Sequence, residues 1–222
     1  MKRIALDIET TGLYTNNGDR VVEIGCIELD NNYPTGKHFQ QYINPEKEMP
    51  EEALRINGLT TDFLSDKPLF SDIAEKFLDF IDDGELVIHN AKFDMGFLNY
   101  ELELCSKKNL NNFKVLDTLI LAKKMFPGAA NNLDALCRRY NIDITKRKKH
   151  GALLDAELLA DVFLEMNGGR QQGINLKFEK TEKQTDLVNI KSCLYSKKIV
   201  IPNKEEDLEH QNLLKSIKNN LW

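Results

Sequence analysis

The chain has 222 residues, 41% of them hydrophobic and 29% charged, proportions of a folded globular protein that exclude collagen-like and wholly disordered classes. No run approaches the roughly 20 apolar residues of a membrane-spanning helix, and the opening MKRIALDIET reaches Asp7 too soon for a secretory signal. Thirty basic and 35 acidic side chains give a net charge of −5; residues 177–222 hold nine and seven of them, leaving 21 and 28 for residues 1–176, a balance that grips polyanions poorly without help.

In chain order, Arg3–Ile8 reads as a short apolar strand and Arg20–Leu29 as a β-branched one, with the turn chemistry of TGLYTNNGD between them. Lys37–Ile43 alternates as a third strand, so the first 43 residues form an antiparallel meander. The period then changes. Pro50–Ile56 and Ser71–Ile81 are helical, the second capped by Ser71 with Ile73, Phe77, Phe80 and Ile81 inward. Glu85–His89 is a buried strand, and Ala91–Cys105, Asp117–Met125, Asn132–Tyr140 and Gly151–Met166 are helices. Strands followed by alternating strands and helices predict an α/β layered domain with a mixed sheet. Gly168-Gly169 closes the last helix, and the tail beyond it is too small to bury much alone. Cys26, Cys105, Cys137 and Cys193 form no CxxC pair and read as reduced residues of a cytoplasmic protein.

Five side chains carry chemistry. Asp7 and Glu9 are two apart in a strand and share one face, with Ala5 beside them. Adjacent carboxylates repel unless a cation sits between them, and hard divalent ions take oxygen ligands. A solvent-facing acidic edge is the other reading, against the depletion of Asp in strands. Asp94 heads the helical series Leu98, Leu102, Cys105, and Asp155 heads Leu159, Val162, Met166. Each acid therefore lies on the apolar stripe of its helix one turn from the start, where the helix dipole alone would predict a solvent-facing acid. His150 precedes Asp155 by five residues, beside the basic run 146–149. It can take a proton from a metal-bound water; taken alone, it reads equally as a surface residue.

DIETTG (Asp7–Gly12), IHNAKFD (Ile88–Asp94) and HGALLDA (His150–Ala156) resemble the three motifs of the DnaQ-like exonucleases, in order. That resemblance implies a ribonuclease H-like fold with a five-stranded mixed sheet flanked by helices, and puts the family's four acids on Asp7, Glu9, Asp94 and Asp155. Its general base falls on His150. Gly151 stands where a sister subclass has tyrosine, so the histidine subclass applies. The implied reaction is hydrolysis at a 3′ end with release of 5′-mononucleotides, assisted by two Mg²⁺ or Mn²⁺ ions about 3.5–4 Å apart. Asp7 would bridge the ions, Glu9 and Asp155 would complete the first site, and Asp94 would hold the second.

Further along, ELVIHNAKFDMGFLNYE, KMFPGAANNLDALCRRY and Leu221-Trp222 resemble one branch of that family, the epsilon (proofreading) subunits of bacterial DNA polymerase III. The resemblance implies a pocket for the terminal nucleotide at Glu9, Thr10, Thr11, Gly12, Leu13, Glu52, Asn57, Phe93 and Asp155. Phe93 reads equally as core. Asn57 departs from the branch, which carries a histidine there; a ring able to stack on a base gives way to a smaller amide. His89 would orient the second motif without holding metal.

The implied organisation is an exonuclease domain over 1–168, a hinge with a clamp-binding peptide over 169–176, and a polymerase-binding tail over 177–222. The peptide QQGINL sets Gln171, Ile174 and Leu176 at the spacing of sliding-clamp ligands. The tail ends on an aromatic, Trp222, of the kind that concentrates at interfaces. The expected partners are DNA 3′ ends, the polymerase (alpha) subunit and the clamp, in the replisome of a bacterial cytoplasm. A stand-alone exonuclease on single-stranded DNA or small RNA leaves the tail without a purpose. A non-catalytic bridge between clamp and polymerase leaves five filled catalytic positions without one.

Overall fold

In a computed structural model of the chain, the described residues are 1–145, 149–169 and 203–216. Two compact units are separated, Met1–Ile174 and Asn175–Trp222. The first is built on a five-stranded sheet in the order β3-β2-β1-β4-β5, with β1 Lys2–Thr10, β2 Val21–Asp30, β3 Tyr33–Tyr42, β4 Glu85–Ile88 and β5 Val115–Asp117. The β1–β2 and β2–β3 pairs are antiparallel, whereas β4 pairs parallel with both β1 and β5. The mixed sheet is the one expected. Asn31 and Asn32 both take positive φ, 49° and 73°, and join β2 to β3 by the kind of tight turn whose twist suits a hairpin. That turn lets β3 begin at Tyr33, four residues ahead of the predicted start.

Eight α-helices are described: α1 Glu51–Asn57, α2 Thr61–Ser65, α3 Phe70–Ile81, α4 Ala91–Leu104, α5 Thr118–Met125, α6 Leu133–Arg139, α7 Ala152–Met166 and α8 Lys204–Ser216. Alternation along the strands divides the core in two. Ile4, Leu6 and Ile8 face one way, onto Phe70, Ile73 and Phe77 of α3 and Phe97, Leu98 and Leu102 of α4. Ala5, Ile27, Leu29 and Val87 face the other way, onto Ala122 of α5, Leu136 of α6 and Leu159, Val162 and Phe163 of α7. Cys26 and Cys137 are buried as expected, and Cys105 is half-buried.

Three details correct the sequence reading. The N-cap of α3 is Leu69 rather than Ser71: Asp72, on the third helical residue, accepts a hydrogen bond from the Leu69 N–H at 3.0 Å. A carboxylate reaching back to the cap amide does the work the serine was assigned. Asp117, read as the first residue of a helix, ends the strand β5 and caps α5, which begins at Thr118. The five-residue helix α2, capped by the Thr60 hydroxyl on the Phe63 N–H, was not expected.

Of the tail, α8 is described by itself, with Leu208 and Leu213 exposed. Gln171, Ile174, Leu176, Cys193 and Leu221-Trp222 lie outside the described residues.

Candidate active site

β1 runs two residues beyond the apolar core, so Asp7 and Glu9 point to the α7 face, in line with Ala5. A register shift between Glu9 and Thr10 makes the ladder with β2 irregular just before its last pair, Thr10 with Val21. The chain then folds around one carboxylate. Asp19 accepts from the Thr11 hydroxyl at 3.3 Å and the Tyr14 N–H at 3.1 Å, and pairs with Lys47. A Cβ on Gly12 would lie 2.3 Å from that carboxylate, which is why the DIETTG run ends in glycine.

The other two acids arrive on helices. Asp94 is the fourth residue of α4 and Asp155 the fourth of α7, and each is only 3% exposed. Both head the apolar stripes expected, with Leu98, Leu102, Leu159 and Val162 buried beneath them. α7 can lie this close because β2 carries Gly25, where a Cβ would meet the Ala152 backbone at 2.2 Å.

Glu9, His150 and Asp155 each offer one ligand atom within 4.8 Å of the others. His150 Nδ1 lies 3.2 Å from Asp155 Oδ2, with the ring 48% exposed. Burial pushes the Asp94 carboxyl well above its usual range; its own amide and that of Ile8 pull it back, while Glu9 and Asp117 push it further. The carboxylates Glu9, Asp155 and Asp94 fit a hard divalent cation, because a bound cation would relieve the crowding of their oxygens.

The expected nucleotide-contacting residues are placed less uniformly. Leu13 is 66% exposed and lines, with Phe93 and Phe97, an open cavity of about 320 Å³ that also takes in Tyr14, Asn90 and Lys92. Phe93 is half-buried and its ring meets Phe97 at 4.9 Å, so it serves core and cavity together. Thr11 is buried and committed to the loop, donating to Asp19 and accepting from the Arg20 N–H. The Thr10 hydroxyl donates to the Gly12 carbonyl. Glu52 is exposed on α1, and the end of that helix reaches the site, since the His150 N–H donates to the Ile56 carbonyl at 3.1 Å. Asn57 is buried and its amide oxygen accepts from the Leu59 N–H. His89 turns from the acids: Nδ1 meets the Thr118 hydroxyl at 3.0 Å, and burial lowers its pKa.

Sequence reasoning missed three carboxylates that hold this arrangement, Asp19, Glu23 and Asp117. Glu23 stood as the lone acid in the buried run VVEIGCI, a signal of the same kind as Asp7. Asp117-Thr-Leu carried a helix-cap signature.

The model of the family described as "Exonuclease" matches residues 4–163. A relative from Rickettsia felis, DNA polymerase III subunit epsilon, is 46% identical over 98% of this chain and 97% of its own length. The Escherichia coli protein of the same name is 41% identical over 95% and 90%. The chain belongs to this exonuclease family. Within it the chain groups with the epsilon subunits, and the enzyme is a 3′–5′ exonuclease. Solved family folds superpose on the sheet and helices. The nuclease domain of 3′hExo, a DEDDh family member bound to rAMP, gives a TM-score of 0.64 at 18% identity over 75% of this chain and 91% of that one. Exonuclease X in complex with 5′ overhanging duplex DNA gives 0.59 at 21% identity over 74% and 89%. The ribonuclease H-like fold expected from the sequence is thereby shown.

Proposed function

We propose that this exonuclease removes mismatched 3′-terminal nucleotides from DNA as 5′-monophosphates, as the proofreading subunit of the replicative DNA polymerase III. The observation that carries the reading is the convergence of Glu9, His150 and Asp155 within 4.8 Å, which brings a residue of the first strand onto a loop and helix start that follow it late in the chain. Asp7, Glu9 and Asp155 would hold one divalent ion, Mg²⁺ or Mn²⁺, and Asp94 would help hold a second. Bound there, such ions supply charge neutralisation at the phosphodiester and ease deprotonation of water at neutral pH.

The chain's own groups do the rest. Asp155 orients the His150 imidazole through Nδ1, and the ring accepts the proton of the attacking water. Thr10, Thr11, Gly12 and Leu13 line the position of the terminal nucleotide, with Phe93 as an apolar wall and Glu52 and Asn57 from the α1 end. The described residues contain no helix long and apolar enough to cross a membrane, consistent with work at a cytoplasmic replisome. An acidic catalytic unit needs its DNA delivered, and the tail 177–222, with the clamp peptide at Gln171, Ile174 and Leu176, is the tether.

The test is full-length protein on a 5′-labelled primer–template with a matched or mismatched 3′ end, alone and with the cognate polymerase subunit. Mismatch-favoured removal of single nucleotides, dependent on Mg²⁺ or Mn²⁺ and linked to co-elution with the polymerase, supports the reading. Equal activity on both ends with no co-elution returns the chain to a stand-alone exonuclease.

A further inference from the structure

A helix exposes its first amides, and a side chain from its own N-cap residue is the usual remedy. In this protein α2, α5 and α6 follow that rule, with Thr60, Asp117 and Asn132 each accepting from an amide of its own helix. The two helices that carry Asp94 and Asp155 do not. The N-cap of α4 is Asn90, in the left-handed region at φ 72°, and that of α7 is Gly151; neither contributes a side-chain cap.

Both helices are capped from the sheet instead. Asp117, on β5, accepts from the Ala91 N–H with Oδ2 at 3.0 Å and from the Asn90 N–H with Oδ1 at 3.3 Å. With Oδ1 it also caps its own α5, at Leu119 N–H and Ile120 N–H. Glu23, on β2 and 2% exposed, accepts from the Ala152 N–H with Oε2 at 3.0 Å. Its Oε1 accepts from Gln40 Nε2 at 2.8 Å, which holds the carboxylate in place. In each case the gripped amide is that of the first helical residue, an alanine, and the acid is the fourth. Residues three apart lie on one face of a helix, about 4.5 Å along its axis. Each sheet-borne carboxylate therefore pins the helix directly beneath the acid it carries.

We infer that Glu23 and Asp117 are positioning residues of the exonuclease centre, fixing the translation and rotation of α7 and α4 so that Asp155 and Asp94 are presented toward Asp7 and Glu9. This rests on the reading of those four acids as the metal ligands. Neither residue need touch metal or DNA.

The chemistry of the two caps differs in a way an experiment can use. A glutamine at 23 can turn its oxygen to the Ala152 N–H and its amide to Gln40, which can flip to accept, so Glu23→Gln keeps the cap. An asparagine at 117 has one oxygen for two helices. If that oxygen stays on Leu119, Ile120 and Asn90, its NH₂ faces the Ala91 N–H, so Asp117→Asn keeps α5 capped and leaves the first helical amide of α4 without its acceptor.

The test uses full-length protein and four variants, Glu23→Ala, Glu23→Gln, Asp117→Asn and, as reference, Asp155→Asn. Mn²⁺ binding is measured by calorimetry without substrate, and kcat and KM are measured on a single-stranded oligonucleotide well below each variant's Tm. Glu23→Ala and Asp117→Asn should weaken Mn²⁺ binding and lower kcat by about 10–100-fold, the range for groups that hold metal ligands in place, with KM unchanged. Glu23→Gln should stay near the parent in both. Parent-like Mn²⁺ binding and kcat in Asp117→Asn and Glu23→Ala, with only Tm reduced, would show ordinary structural caps and overturn the inference. Should Glu23→Ala fail to fold, Asp117→Asn decides by the same criterion. Retained Mn²⁺ binding and activity in Asp155→Asn would remove the site reading beneath, and the inference with it.

Discussion

His89 and His150 each stand five residues ahead of a buried aspartate on the fourth position of a helix, and each of those helices begins with alanine. The two segments look interchangeable in the sequence. In space they are opposites. His89 is drawn away to the Thr118 hydroxyl and Asn131, while His150 stays against Asp155. The chain's entry to each helix makes the difference. α4 follows directly on a buried strand through left-handed Asn90, whereas α7 is entered from a loop through extended Gly151 at φ −157°. The spacing of a histidine and an acid is therefore no guide to their partnership until the turn between them is known.

The largest effects should break the comparison at the acids. Asp7→Ala, Asp94→Asn and Asp155→Asn should each abolish hydrolysis in an exonuclease assay, because each removes a carboxylate from the proposed metal centre. Asp94→Asn should also raise the metal-free Tm, since burial and neighbouring carboxylates penalise its ionised form, whereas Asp155 has the His150 ring beside it. The gain would be about 2–4 °C for each kcal/mol in a chain of this size. An equal rise in Asp155→Asn would erase the contrast between the two helices.

Next come the histidines themselves. His150→Ala should slow turnover by about 10²–10⁴-fold, the usual share of a general base, with Mn²⁺ binding intact. His89→Asn should keep kcat within the same order of magnitude, and a loss as large as that of His150→Ala would show both rings at work in the chemistry. A smaller effect concerns the floor beneath α7. Gly25→Ala forces a methyl against the Ala152 backbone and should cost about 1–3 kcal/mol, read as a lower Tm.

The smallest effect is one of pH. Burial holds the His89 pKa below its ordinary 6.5, so the unfolded chain takes up the proton first. The stability that His89 contributes is complete above that ordinary value and is lost as pH falls below it toward the lower folded value. His89→Asn should flatten this part of the Tm–pH curve. An unchanged slope would place the loss on other groups.

Much of this was legible in the sequence, for physical reasons. The strand pair Asp7 and Glu9, and the stripes headed by Asp94 and Asp155, rest on periods of two and 3.6 that survive folding unchanged. β5 and α2 were not legible because three and five residues are too short to display a period. Glu23 and Asp117 escaped for a different reason. Their function is to bond amides on distant segments, across 129 residues for Glu23 and 26 for Asp117, and no local pattern encodes such a partner. Asn57 shows the reverse limit. A position that the resemblance places in the nucleotide pocket has its amide oxygen on the Leu59 N–H, a bond that no pattern in the sequence announces.

The grip of Glu23 on Ala152 has a consequence for the order of synthesis. Its partners are separated by 129 residues, and at about 5–20 residues per second the ribosome needs on the order of ten seconds to supply the second after the first. The meander of β1, β2 and β3 can pair early, but Asp155 arrives only when the last helix of the catalytic unit docks on Gly25. Until then the nascent chain holds Asp7 and Glu9 without their partners. If Asp155 is a ligand of the proposed metal centre, the nuclease stays inactive until nearly the whole catalytic unit has been made.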